Sequence, residues 1–209
     1  MAKTLLLPAS DPHTFQTAAE ILGRGGLVAF PTDTVYGLGT LVFDGPAVER
    51  IYAAKQRPVE KAIPVLIGSL DDLPRLVPAV PALAERLAAA FWPGPLTLVL
   101  PKRPEVPASV SAGETLGVRI PDHPVALGLL RQAGPMAVTS ANLSGQASPC
   151  SAAEVLEQLD GRIDLVIDGG RTPGGVPSTV VDCLGAGLKI LREGPLSLEQ
   201  LLAEAGENL

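Results

Sequence analysis

The sequence predicts a single α/β domain built on one twisted, mixed β-sheet with helices packed against it. Three observations lead there. Apolar runs of strand length recur along the whole chain between segments of helical period. Helices and strands interleave without the regular βαβ alternation of a doubly wound parallel sheet. The 21 prolines and 22 glycines supply the many turns that short elements need. At 209 residues the chain sits near the upper end of one ordinary domain, a size that buries about two-thirds to three-quarters of the unfolded surface. Residues 1–209 are therefore read as one unit.

Taken in order, Thr4–Leu7 reads as a strand, and Asp11 followed by Pro12 reads as an N-cap with proline at the first helical position. Phe15, Ala18, Ala19 and Leu22 then recur at helical spacing, and Gly23, Gly25 and Gly26 end that helix. Leu27–Phe30 reads as a buried strand stopped by Pro31, and Leu38–Phe43 as the next. A helix opening at Pro46 puts Val48, Ile51, Tyr52 and Lys55 on one face. Three of these four belong to a core, so Lys55 is expected at the inner edge of the last turn and not free in solvent.

Further strands are expected at 63–67, 96–100, 116–120 and 136–139, with helices at 82–91 and 124–132. The segments Ser151–Glu154 and Ser197–Gln200 carry the capping-box pattern and open two short amphipathic helices. Between them, 165–168, 179–183 and 189–192 read as strands. No internal repeat is present.

Charge and composition narrow the function. A formal charge of −6 and 3% aromatic residues argue against a protein that grips long nucleic acid through its phosphates or stacks bases on aromatic platforms. Cys150 and Cys183 have no partner at metal-ligand spacing, so no zinc site and no disulfide framework is expected. The start lacks a long apolar core and no run approaches about 18 apolar residues, giving a cytoplasmic expectation.

The segments that end strands carry residues a core does not need: PTDTVYGLG (31–39), KQRPVEK (55–61), WPGPLTLVL (92–100), GVRIP (117–121), TSANLSG (139–145), PSTVVD (177–182) and LREG (191–194). Small hydroxyls, one amide and five cations gather at these strand ends, where loops on a rigid sheet hold sites. A nucleotide fits that inventory. Lys55, Arg57, Lys61, Arg119 and Arg192 would face its negative charge, and Thr97, Ser140, Asn142 and Ser148 would offer neutral polar groups. Neither a Walker sequence nor a complete dinucleotide fingerprint is present, so any such site works without a P-loop. Taken singly, each segment also has an ordinary structural explanation: a solvated helix end at Lys55–Arg57, a turn at Thr32–Gly37, a cap at Ser140–Asn142, a corner at Trp92–Pro95, and glycine turns at 169–175.

Seven such segments in this order and spacing closely resemble the YrdC-like family of threonylcarbamoyl-AMP synthases, from about Leu5 to Leu202. The resemblance implies a sheet forming one wall of a cationic cleft for ATP and threonine. It implies threonine contacts from Thr34, Arg119 and Ser178, and nucleotide contacts from Lys55, Arg57, Lys61, Thr97, Ser140, Asn142, Ser148 and Arg192. Lys55, Arg57, Ser140 and Asn142 form the family's K-x-R and S-x-N pair and are the expected catalytic set. No protein-held metal is implied; Mg2+ would accompany ATP. The implied reaction joins L-threonine, bicarbonate or CO2 and ATP into threonylcarbamoyl-AMP and pyrophosphate, for the threonylcarbamoyladenosine of tRNA. The implied partner is a downstream tRNA threonylcarbamoyltransferase, with direct tRNA binding weak or indirect. Such chemistry needs no covalent nucleophile, so His13 and His123 are not required as bases. The chain resembles the short, single-domain type.

Two departures stand out. Ala62–Ile63 replaces the Pro-Leu of many relatives, and Leu66 stands where some carry a histidine that contacts threonine, which leaves that wall apolar. Two other classes compete with the synthase. One is a related carbamoyl-adenylate or nucleotide-binding paralogue, as inside hydrogenase-maturation carbamoyltransferases. The other is a non-catalytic RNA-binding module.

Overall fold

The computed structural model describes residues 3–185 and 187–206; the remaining positions of the expected 1–209 unit lie outside the described residues. Among the described residues ten strands form one sheet. In chain order they are β1 (Leu5–Pro8), β2 (Val28–Pro31), β3 (Tyr36–Leu41), β4 (Val65–Leu66), β5 (Leu96–Pro101), β6 (Thr115–Arg119), β7 (Met136–Ser140), β8 (Leu165–Asp168), β9 (Thr179–Asp182) and β10 (Lys189–Arg192). Their spatial order is β1-β8-β2-β3-β7-β4-β6-β5-β9-β10. The β1/β8, β8/β2, β4/β6 and β5/β9 pairs are parallel and the others antiparallel. The expected mixed sheet is therefore present.

Seven α-helices accompany it among the described residues: α1 (Thr14–Leu22), α2 (Gly45–Lys55), α3 (Leu73–Leu76), α4 (Ala82–Phe91), α5 (Pro124–Ala133), α6 (Ala152–Leu159) and α7 (Leu198–Ala205). Side chains alternate across each strand, and the sheet's two faces are covered unequally. Residues from α2, α3, α4, α6 and α7 close one face over Leu38, Val65, Leu98, Val118 and Val181. On the other face α1 and α5 cover Val28, Phe30, Leu66, Met136, Val138, Leu165 and Ile167. That second cluster takes no residue from β5, β6, β9 or β10. The outer half of the second face is thus left without a helix above it.

Local chemistry explains most element ends. Asp44 caps α2 by accepting from Ala47 N–H at 3.0 Å, with Pro46 in the first turn. The Ser197 capping box is complete, Ser197 and Gln200 each accepting from the other's backbone N–H. At Ser151 the hydroxyl accepts from Glu154 N–H, but the Glu154 carboxylate reaches one residue further back and accepts from Cys150 N–H at 2.7 Å.

Asp11 does not cap α1. Its carboxylate accepts from His13 N–H at 2.8 Å and its carbonyl from Thr14 N–H at 3.1 Å, closing a turn that delays the helix to Thr14. The strand expected at 63–67 pairs regularly only through Val65 and Leu66, because Ile63 N–H donates to Val110 O and leaves the ladder. The strand expected at 38–43 begins at Tyr36, opposite Pro31.

Candidate active site

The uncovered half of the second face, continued by residues of β3, β4 and β7, is the floor of a cavity of about 310 Å3. Register explains its membership. Val99 pairs with Gly117, Thr97 with Val180, Leu66 with Arg119 and Gly37 with Ser140, so alternate residues of neighbouring strands rise to the same side. The floor is low at two glycines. A Cβ on Gly37 would stand 2.7 Å from Val138 Cγ1, and one on Gly117 would stand 3.1 Å from Thr97 Cγ2. Walls come from Thr32, Thr34, Arg57, Ala62, Pro177, Ser178 and Arg192.

Arg119 ends β6 inside this cavity and is 5% exposed. Its Nε donates to Gly94 O at 2.9 Å, its Nη1 to Thr34 Oγ1 at 3.1 Å, and its Nη2 to the Asp33 carboxylate. Gly94 N–H in turn donates to Ile120 O at 2.9 Å. The Trp92–Pro95 corner is therefore structural, as one reading of it expected, and it serves to aim Arg119. Thr34 is fixed from its other side by Thr32, whose hydroxyl lies 3.0 Å away and also donates to Val35 O at 2.7 Å.

Across the floor, Ser178 is 4% exposed and its hydroxyl lies 2.7 Å from that of Thr97. Arg192, the last residue of β10, grips Ser178. Its Nε and Nη2 donate to Ser178 O at 3.0 and 2.8 Å, and Nη2 also donates to Ser178 Oγ at 3.1 Å. Arg57 enters from the end of α2. Gln56 there takes a left-handed φ of 52°, a conformation that ends a helix and redirects the chain. Arg57 then donates through Nε to Lys61 O at 3.3 Å and through Nη2 to Ala62 O at 3.0 Å.

The three guanidiniums act on one another. Burial lowers the pKa of Arg119, which the Asp33 carboxylate opposes and Arg192 reinforces; partial burial and then Arg57 lower that of Arg192. Arg119 has a carboxylate partner, whereas no ion pair is formed by Arg57 or Arg192 among the described residues. Two positive charges thus stand close together without a counter-charge.

Seven of the eleven expected site residues line this cavity: Thr34, Arg57, Thr97, Arg119, Ser140, Ser178 and Arg192. Lys55 and Asn142 lie behind the Ser140 wall, 1% and 6% exposed. The Lys61 side chain is exposed, and Ser148 is half-buried outside the lining. Asp33, the partner of Arg119, was not singled out from the sequence, although a carboxylate flanked by Thr32 and Thr34 at a strand end was the available signal. Leu66, 5% exposed, and Val138 make part of the cavity apolar. His123 Nδ1 accepts from Val125 N–H at 3.3 Å and caps α5.

Among the described residues no group of three or more His, Cys, Asp or Glu side chains is placed to hold a metal ion. No helix among them is long and apolar enough to cross a membrane.

A family model described as "Telomere recombination", Sua5_yciO_yrdC, matches residues 20–194. The chain is 47% identical over 192 residues to a threonylcarbamoyl-AMP synthase of Pyrococcus abyssi, covering 91% of this chain and 56% of that protein. It is 45% identical over 203 residues to a protein of the same name from Bacillus subtilis, covering 96% and 58%. The crystal structure of P. abyssi Sua5 complexed with L-threonine superposes with a TM-score of 0.93 at 43% identity, over 98% of this chain and 61% of that one. The chain thus spans less than three-fifths of the length of the two curated relatives it matches here.

Proposed function

The chain belongs to the Sua5, YciO and YrdC family, and from that premise we propose that it is an L-threonylcarbamoyladenylate synthase. In this reading it converts L-threonine, bicarbonate or CO2 and ATP into threonylcarbamoyl-AMP and pyrophosphate, feeding the threonylcarbamoyladenosine modification of tRNA. The observation that carries the proposal is the cavity itself. Arg57 and Arg192, without carboxylate partners among the described residues, stand in one enclosure with a pre-aimed Arg119, Thr34 and Ser178.

The division of labour follows from that placement. Arg57 and Arg192 face the polyphosphate, with Thr97 and Ser140 as hydroxyl contacts, since charge-assisted donors bind phosphate most strongly. Arg119 offers N–H groups to the threonine carboxylate, with Thr34 and Ser178 beside it. Carbamate forms when the threonine amine adds to CO2 and loses a proton. A carbamate oxygen then attacks the α-phosphorus, the new P–O bond forming as the bond to pyrophosphate breaks. No enzyme nucleophile takes part, so these residues act by alignment and by offsetting charge on the phosphates.

Mg2+ is proposed to arrive as part of the nucleotide substrate, where phosphate oxygens and water supply most of its ligands. The product passes to a tRNA threonylcarbamoyltransferase, and the setting is the cytoplasm.

The test is incubation with MgATP, bicarbonate and L-threonine, following pyrophosphate and detecting the mixed anhydride by mass spectrometry. Pyrophosphate release should need all three substrates together. Release that is indifferent to threonine, or a product without the threonyl group, would overturn the proposal.

A further inference from the structure

Lys55 and Arg57 stand two residues apart at the end of α2 and point to different places. Arg57 lines the cavity, while the Lys55 side chain is 1% exposed and is absent from the lining. Its Nζ donates instead to the backbone carbonyls of Ser140 and Asn142, 85 and 87 residues further along the chain. The Lys55 carbonyl accepts from Ser144 N–H at 2.9 Å. One residue thus holds three points of the 140–144 loop, through its side chain and its backbone.

The loop is gripped from the opposite side as well. Ala141 N–H donates to Tyr36 O at 2.8 Å and Leu143 N–H to Gln158 Oε1 at 3.0 Å. The Asn142 Nδ2 donates to Leu143 O and Gln146 O, leaving its Oδ1 buried and without a partner among the described residues. The Lys55 bonds to Ser140 O and Asn142 O tie this internally bonded loop to the end of α2. Only Ser140, the first residue of the loop, reaches the cavity.

We propose that Lys55 is a positioning residue, which fixes Ser140 and Asn142 by saturating their carbonyls and does not itself touch the nucleotide. The K-x-R and S-x-N segments are then one device. The last turn of α2 sends Arg57 into the cavity and Lys55 behind its wall. The proposal deepens the synthase reading and rests on it for the catalytic consequence; the anchoring itself is a property of the ligand-free chain. Burial lowers the Lys55 pKa to about 7, and an uncharged amine still carries the two protons that two carbonyls require.

The experiment compares Lys55→Met, Lys55→Arg and Arg57→Ala in the full chain. Amide hydrogen exchange at Leu143, Ser144 and Gln146 is read without ligand; ATP binding and the kcat and KM for ATP are read separately. For Lys55→Met, loop exchange should quicken about tenfold to a hundredfold, the size of losing two hydrogen bonds. Its kcat should fall by about a hundredfold with KM for ATP changed by less than about threefold, as for a residue that acts on alignment. Lys55→Arg, which keeps donors, should recover part of both. Arg57→Ala should weaken ATP binding and leave loop exchange as in the wild type.

The idea is overturned if Lys55→Met leaves loop exchange unchanged and weakens ATP binding as Arg57→Ala does. Should Lys55→Met not fold, wild-type protein labelled at lysine Cε and Nζ decides by NMR. A Lys55 resonance unmoved by saturating MgATP supports the anchor, and one showing contact with phosphorus overturns it. Failure of the wild type to bind ATP would count against the synthase reading alone, because the exchange comparison needs no nucleotide.

Discussion

Arg119 and Asp33 form a buried ion pair at the cavity wall, their side chains 6% and 14% exposed and 86 positions apart in the chain. Asp33 sits in the turn between β2 and β3, so this pair ties that hairpin turn to β6, which neighbours neither strand in the sheet. It also leaves Arg119 with a fixed orientation before any substrate arrives. Asp33→Asn should remove the only carboxylate facing that guanidinium among the described residues. Breaking a fully enclosed pair costs about 3–5 kcal/mol; the cavity opens on this one, so about 2–3 kcal/mol is expected in urea unfolding. Threonine binding should weaken together with stability. Unchanged stability in Asp33→Asn would show that the pair does not hold Arg119.

Gly194 is required by a backbone contact. A Cβ there would stand 2.3 Å from Thr179 N and 2.6 Å from Ser178 C. Gly194→Ala must therefore push the end of β10 away from Ser178 and break the Arg192 grip. A loss of about 1–3 kcal/mol, as for overpacking elsewhere, is expected by denaturant melts, with weakened binding of threonine and ATP alike.

Arg57 and Arg192 should separate in their effects. The Arg57 side chain makes two hydrogen bonds among the described residues, both to carbonyls of its own loop, so Arg57→Ala should weaken ATP binding by about tenfold to a hundredfold, the size of a charged hydrogen bond. Its melting curve should move little. Arg192 holds Ser178 through three bonds, so Arg192→Ala should weaken threonine binding as well. Calorimetric titration of each ligand separates the two cases.

The Lys55 ammonium has a definite pH signature. Burial lowers its pKa from 10.5 to about 7, with Arg57 adding to the shift. Between those values the unfolded chain binds more protons than the folded one, so stability rises with pH across the window and the contribution is lost as pH falls through about 7. Cys183 works oppositely at higher pH: burial pushes it from 9.0 to about 12, and its contribution is lost above pH 9. The clean interval is therefore pH 7 to 9, where the ligand-free protein should gain up to about 1.4 kcal/mol per pH unit from this group. Lys55→Met should flatten that rise in urea melts taken across the interval.

Much of the fold is legible locally because period and capping are local. Val48, Ile51, Tyr52 and Lys55 share a helical face by spacing alone, and all four are buried. The helix at 82–91 and the strands at 165–168 and 189–192 lie where their patterns place them. Errors fall where a short-range competitor is present. At Asp11 an Asx-type turn competes with a helix cap, and the two differ in sequence by nothing that a propensity registers. In the site, residue types are legible and contacts are not. Lys61 and Ser148 carry suitable groups yet stand outside the cavity lining, since where a loop residue comes to lie depends on what its loop packs against.

The class of the fold, the depth of Lys55 and the inventory of cations and hydroxyls can be read from the chain alone, because each depends on residue type and on spacing within one or two turns. Tertiary structure alone decided which of them share a cavity. Strand register brings Thr97, Gly117, Arg119, Ser140 and Val180 to one uncovered half-face, and α1 and α5 leave that half open. Pairing across 85 residues depends on how the whole sheet closes, and no local pattern records that a lysine at the end of one helix will meet the carbonyls of a distant loop.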